Sequence, residues 1–176
     1  MQRRLFSDVL PTMPIDMTDS NDTTPTVSLL QQRRIEASFI KPFLTALVSE
    51  VGPDRATELV RSVVEELARA HGRKLRQASV PDLEELAHAW DGFAAGGALD
   101  VERREQSETR LCIRVTRCRY AEMYRELGLE SWGAVLSCGR DGPFAEGFCP
   151  EAKLERSKTL IEGGPFCEFL YTKVDE

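Results

Sequence analysis

The apolar residues of this chain change their period near Gly96-Gly97, and that change constrains the fold more than any other feature. Before it they recur every three to four residues; after it they alternate. Ile35, Phe39, Phe43, Leu47 and Val51, flanked by Ile40, Leu44 and Val48, trace a helical stripe. Pro42 falls inside this stripe and is expected to break or kink the helix near Ile40. Gly52-Pro53 closes one helix and opens the next, which is predicted to run to about Gln77. On it Leu59, Val60, Val63, Val64, Leu67 and His71 share a face, with Glu58, Arg61, Glu65 and Arg69 mainly opposite. A third helix is predicted from Pro81-Asp82, with Leu83, Leu86, Ala87, Trp90 and Phe93 as its buried stripe.

Beyond the paired glycines the texture is that of strands. Leu99 and Val101, then Leu111, Ile113 and Val115, alternate with polar residues and predict a hairpin around the polar stretch 104–108. A short helix is expected over Ala121 to Leu127, closed by Gly128, and a second over Ser131 to Cys138, leading into a glycine-bearing loop at Gly139 to Gly142. Leu154 to Ile161 reads as a strand, residues 162–165 as a turn, and Cys167 to Val174 as the returning strand. Helices first and strands later imply an α+β fold, a single domain of N-terminal helices packed on a small antiparallel sheet. Residues 1–27, rich in Asp, Thr, Ser and Pro, are expected to form a flexible arm that folding does not need; the domain is 28–176.

Charge narrows the function. With 23 Lys+Arg against 29 Asp+Glu, the net charge of −6 supplies no basic footprint for nucleic acid and no polybasic membrane surface. No apolar run approaches the roughly 20 residues that span a bilayer. Asp8 and Pro11 interrupt any secretory signal, so a cytoplasmic location is expected. The five cysteines, an odd number without a Cys-x-x-Cys pair, are expected to be reduced thiols.

Three of them, Cys118, Cys138 and Cys167, sit at the ends of predicted elements, where backbone geometry can aim side chains into one cleft. Tyr120 and Glu122 follow the first, and Arg140 and Asp141 the second. A thiol beside an arginine can ionise near neutrality, and a carboxylate can move its proton. The plainer reading is that all three are small buried hydrophobes. His71, on an apolar stripe, reads as a core or interface residue, and Trp90 and Phe93 as core.

The stretch from Cys118 to Tyr171 carries Cys118-x-Tyr120-Ala121-Glu122, Leu127-Gly128, Cys138-x-x-Asp141, Gly147-Phe148-x-Pro150, Leu154-x-Arg156, Thr159, Gly163 and Cys167-x-Phe169-x-Tyr171. The helical half adds Arg33-Arg34-Ile35-Glu36-Ala37, Lys41-Pro42 and Leu67-Ala68-Arg69 with Gly72. In these residues, over roughly 30–172, the chain resembles the 2-aminothiazoline-4-carboxylate hydrolase family. Cys112 and Cys149 lie outside that pattern.

The resemblance implies ring-opening hydrolysis of an amidine-like carbon flanked by nitrogen and sulfur. It makes Cys118, Cys138 and Cys167 thiolate candidates, Asp141 the first acid/base and Glu122 the second. Arg140 or Arg156 would hold the substrate carboxylate, with Tyr120 and Thr159 as further contacts. In one mechanism a single cysteine attacks the ring carbon and no cofactor is needed; this is the preferred version. In the other the three cysteines hold zinc, and a metal-bound hydroxide attacks. Two other classes compete: a non-catalytic small-ligand-binding or sensor module of the vinyl-reductase type, and a structural protein that forms a homodimer through its first two helices.

Overall fold

A computed structural model describes residues 27–76 and 82–173; the arm expected over 1–27 lies, apart from Val27, outside the described residues. Ser28 starts the first helix, α1 (Leu29–Val51), by accepting the Gln31 N–H while the Gln31 side chain reaches back to the Ser28 N–H. The helix does not break at Pro42, and α1 runs on through it. The proline frees only the Ser38 carbonyl, and Ser38 and Pro42 are both exposed, so water can satisfy the lost bond while Ala37 and Leu44 anchor the helix on its buried side. Gly52, at φ 82°, turns the chain in one residue, and Pro53 opens α2 (Pro53–Leu75).

Asp82 caps α3 (Leu83–Ala94) by accepting the Glu85 N–H at 2.8 Å, and Leu83, Leu86, Ala87 and Trp90 are buried. A short 3-10 turn through Gly96 and Gly97 delivers the chain to the hairpin β1 (Leu99–Gln106) and β2 (Arg110–Cys118). Helices α4 (Arg119–Glu126), α5 (Glu130–Leu136) and α6 (Asp141–Phe148) follow, then β3 (Ala152–Glu155) and β4 (Cys167–Lys173). The sheet is antiparallel throughout, in the order β1-β2-β4-β3. Leu111, Ile113 and Val115 of β2 and Cys167, Phe169 and Tyr171 of β4 point to its covered face. The α+β class is therefore that read from the change of period.

Two local expectations fail. The strand expected over Leu154 to Ile161 is β3, four residues ending at Glu155. Arg156 leaves the sheet to donate to the Cys138 carbonyl at 3.0 Å, and Gly164 N–H closes a turn on the Thr159 carbonyl at 2.9 Å. The loop expected from Gly139 to Gly142 is instead a 3-10 turn, Cys138–Arg140, entering α6. Its two glycines disguised a helix whose first turn holds Pro143, a position where proline costs no hydrogen bond.

Helix α6 crosses α2 at two facing glycines. A methyl on Gly72 would meet Phe148 N at 2.7 Å, and one on Gly147 would meet the Arg69 carbonyl carbon at 2.9 Å. The backbones touch there, which sets Asp141 and Phe144 against Ala68 and His71.

Candidate functional site

Between α2, α3, α5–α6 and the covered face of the sheet lies a cavity of about 120 Å³. An apolar protein cavity of roughly 150 Å³ takes up benzene, so a single-ring ligand is its size class. One end is aromatic. Trp90 meets Phe169 at 4.6 Å between ring centroids, Phe93 meets Phe144 at 5.2 Å, and His71 packs edge-on to Phe144 at 5.6 Å. Trp90 Nε1, beside the Tyr171 hydroxyl, is buried and completes no hydrogen bond.

The other end is polar, and Cys118, Tyr120, Cys138, Arg140, Asp141 and Cys167 all reach its wall. Cys118 ends β2 and caps α4, its Sγ accepting the Ala121 N–H at 3.4 Å. Cys167 opens β4, its Sγ accepting the Leu160 N–H at 3.1 Å. Cys138 stands at the turn between α5 and α6. Tyr120 donates its hydroxyl proton to the Phe93 carbonyl at 3.0 Å, and burial pushes its phenol up to about 12. It is thereby a wall element with its proton committed.

Electrostatics distinguishes the candidates. Burial pushes the thiols of Cys118, Cys138 and Cys167 above their ordinary value, and the Asp141 carboxylate raises all three further. The site therefore holds thiols, not thiolates. Asp141 is pushed up to about 6 by burial, against the pull of Arg156 and Arg140. Its side chain is 32% exposed, and as a wall residue it opens into the cavity. A carboxyl that titrates near neutrality in a closed pocket is suited to moving a proton.

Arg140 is half-buried on the same wall, and among the described residues it has no salt-bridge partner. Burial, then the nearby charge of Arg33, lowers its pKa. Arg33, from the first turn of α1, also lines the cavity, and its own ion pair is with Glu36. Burial, Arg140 and Arg33 together lower His71, which is neutral at pH 7. Two guanidinium groups against one wall, one of them in no direct salt bridge among the described residues, fit an anionic group on the ligand.

Three expected site residues stand elsewhere. Glu122 is on the surface, bonded by Arg117 at 2.8 and 3.1 Å, a contact that holds its carboxyl below the ordinary value. Thr159 is buried and bonded to Glu162 in the turn before β4. Arg156 sits behind the wall, ion-paired with Asp141 and stacked over the Phe169 ring at 5.6 Å. It holds the carboxyl and the Cys138 carbonyl through one guanidinium nitrogen and is not among the residues lining the cavity. Conversely His71, Trp90 and Phe93, read as core, and Arg33 all line the cavity. Their signal was the stripe spacing itself, which cannot tell a packed core from a core that stops around a hole.

Cys118, Cys138, Cys167 and Asp141 feel one another's charge, yet among the described residues no three His, Cys, Asp or Glu side chains are disposed to hold a metal ion.

Fold and site together define a single-domain α+β protein with an aromatic cavity between its helices and the covered face of its sheet. The chain belongs to the L-2-amino-thiazoline-4-carboxylic acid hydrolase family, whose model matches residues 32–171. Among curated proteins none matches it. A crystal structure of the phenol-responsive sensory domain of the transcription activator PoxR with phenol is similar at 12% identity, over 78% of this chain and 74% of that one, with a TM-score of 0.51. At that identity the likeness is one of fold.

Proposed function

We propose that the protein hydrolyses a small, flat heterocyclic carboxylate of the 2-aminothiazoline-4-carboxylate kind. The ring fills the aromatic end, and the ring carboxylate pairs with Arg140, assisted by Arg33. Asp141, ionised, takes a proton from a water as it attacks the carbon between nitrogen and sulfur. The tetrahedral adduct collapses with cleavage of the carbon–sulfur bond, and Asp141 returns the proton to the departing sulfur. One water is consumed, and the product is a carbamoyl-cysteine. The cysteines serve as soft wall contacts in this scheme, which replaces the thiolate attack expected from sequence because burial keeps them protonated.

The observation that carries this reading is the adjacency of Arg140, a cation in no direct salt bridge among the described residues, and Asp141, a carboxyl titrating at about 6, on one cavity wall. The test is turnover of 2-aminothiazoline-4-carboxylate by the full chain and by Asp141→Asn. General acid–base assistance is worth about 10² to 10⁴ in rate, so kcat should fall by that factor while the fold stays intact. A variant within a few-fold of wild type would remove Asp141 from the chemistry.

A second reading, a binding or sensor module, is favoured by the protonated thiols, which leave the cavity without a ready nucleophile. Saturable binding of the carboxylate without turnover would decide for it.

A further inference from the structure

We infer that the outer face of the α1–α2 hairpin is the contact between two copies of this chain. All the large apolar residues exposed among the described residues lie on these helices or just before them. Ile35, Phe39 and Phe43 recur at four-residue spacing along α1, on the side away from buried Ala37 and Leu44, and the Phe39 and Phe43 rings touch at 5.2 Å. Phe39 is 70% and Ile35 63% exposed. On α2, Val63 and Leu67 are exposed as well. The helices run antiparallel, because Leu29 at the start of α1 and His71 on the last turns of α2 line the same cavity.

Area, geometry and charge select a second copy as the occupant. Five such side chains offer about 100 Å² each, about 500 Å² per copy and about 1,000 Å² for a pair, which is about what a specific interface has to clear. A monomer's largest apolar patch is rarely bigger than this without a role. The four-residue spacing forms a continuous ridge, and ridges of that spacing interdigitate with one another in the commonest mode of helix packing. The same ridge on a two-fold-related copy is therefore a fitting partner. Charge adds no competing pull. Arg33 with Glu36, Arg55 with Glu58, and Arg73 with Glu66 neutralise one another within their own helices, leaving little field to recruit a charged partner.

The test is the solution mass of the full chain by sedimentation or light scattering, with Phe39→Glu and Leu67→Glu measured beside it. The wild type is expected at twice 19.8 kDa at micromolar concentration. Each glutamate would bury a charge in the contact and should weaken association on the order of 100-fold, leaving a monomer. Because both positions are exposed, circular dichroism and the thermal midpoint of the monomers should confirm an intact fold. A control, Glu102→Lys on the exposed part of β1, should leave the mass unchanged. A wild type that stays monomeric up to about 100 µM would overturn the inference and turn attention to residues 1–26 or another protein as the cover. A dimer that survives either glutamate equally overturns it.

Discussion

A methyl group at Gly147 would stand 2.9 Å from the Arg69 carbonyl carbon and 3.0 Å from its Cα, with the carbonyl oxygen nearer still. Ordinary contact begins at 3.4 Å, so α6 must retreat from α2 by about 1 Å or bend. No flexible side chain can yield instead, because the obstacle is the α2 backbone. Overpacking of this kind costs about 1–3 kcal/mol, and a backbone obstacle belongs at the upper end. Alanine recovers up to about 1 kcal/mol of helix propensity, leaving a net loss of about 2 kcal/mol. For a domain of this size that lowers the thermal midpoint by about 4–8 °C. Gly142→Ala, also in α6 but with nothing within 4 Å of the new carbon, is the control and should be neutral or slightly stabilising. Thermal unfolding followed by circular dichroism measures both. Gly147→Ala within about 1 °C of wild type, or an equal loss in the control, would refute the backbone-contact argument. The same 1 Å shift carries Asp141 off its mark, and displacements of that size can cost about 10² in rate. Activity measured well below the midpoint should therefore fall too.

The raised pKa of Asp141 makes stability depend on pH with a definite sign. Its carboxyl titrates at about 6 in the folded chain against an ordinary 3.8, so the folded state holds this proton more tightly. That contribution is fully present below pH 3.8, declines as pH rises, and is gone above about 6, a change of about 3 kcal/mol. Chemical denaturation of wild type and Asp141→Asn from pH 4 to 8 should show the wild type losing that amount relative to the variant; a constant difference would refute the shift. Under the proposed mechanism kcat/KM should climb with an apparent pKa near 6, and a pH-independent rate would remove Asp141 as base. Arg140→Gln should raise KM for the carboxylate substrate at least tenfold with a smaller change in kcat; an unchanged KM would place the carboxylate elsewhere. Cys118, Cys138 and Cys167 should react with a thiol reagent at pH 7 far more slowly in the folded protein than in denaturant, and rapid labelling of any one would restore it as a thiolate nucleophile.

The α+β class was legible because Gly96-Gly97 separates two periods cleanly, and the β2 alternation from Leu111 to Val115 survives intact in the structure. The ends of elements were less so. Leu154 to Ile161 continues to look like a strand because nothing local announces that Arg156 will turn inward to Asp141. The convergence of Cys118, Cys138, Asp141 and Cys167 on one cavity followed from their places at element ends. Glu122 was misplaced because one helical step decides between cavity and surface, and Arg117 holds it outside. The ionisation of the thiols could not be read at all. Nearby arginines were visible in the sequence, while the burial that outweighs them is a property of the assembled chamber. Exposure of Phe39 and Leu67 was hidden likewise, since an apolar stripe looks the same whether it meets its own core or another surface.

The rim of the sheet decides what kind of aggregate this chain avoids. One outer strand, β1, carries Glu102, Arg103, Arg104 and Glu105 in an exposed run, and its pairing slips twice, between Asp100 and Val101 and between Arg103 and Glu105. The opposite outer strand, β3, is only four residues long. Charge, irregular register and shortness each discourage a further strand from adding. A cross-β seed would have to desolvate four charges on one side or pair with a stub on the other. Molecules that meet at their sheets therefore part again, and open-ended, fibre-like growth is closed to the folded chain even when it is concentrated.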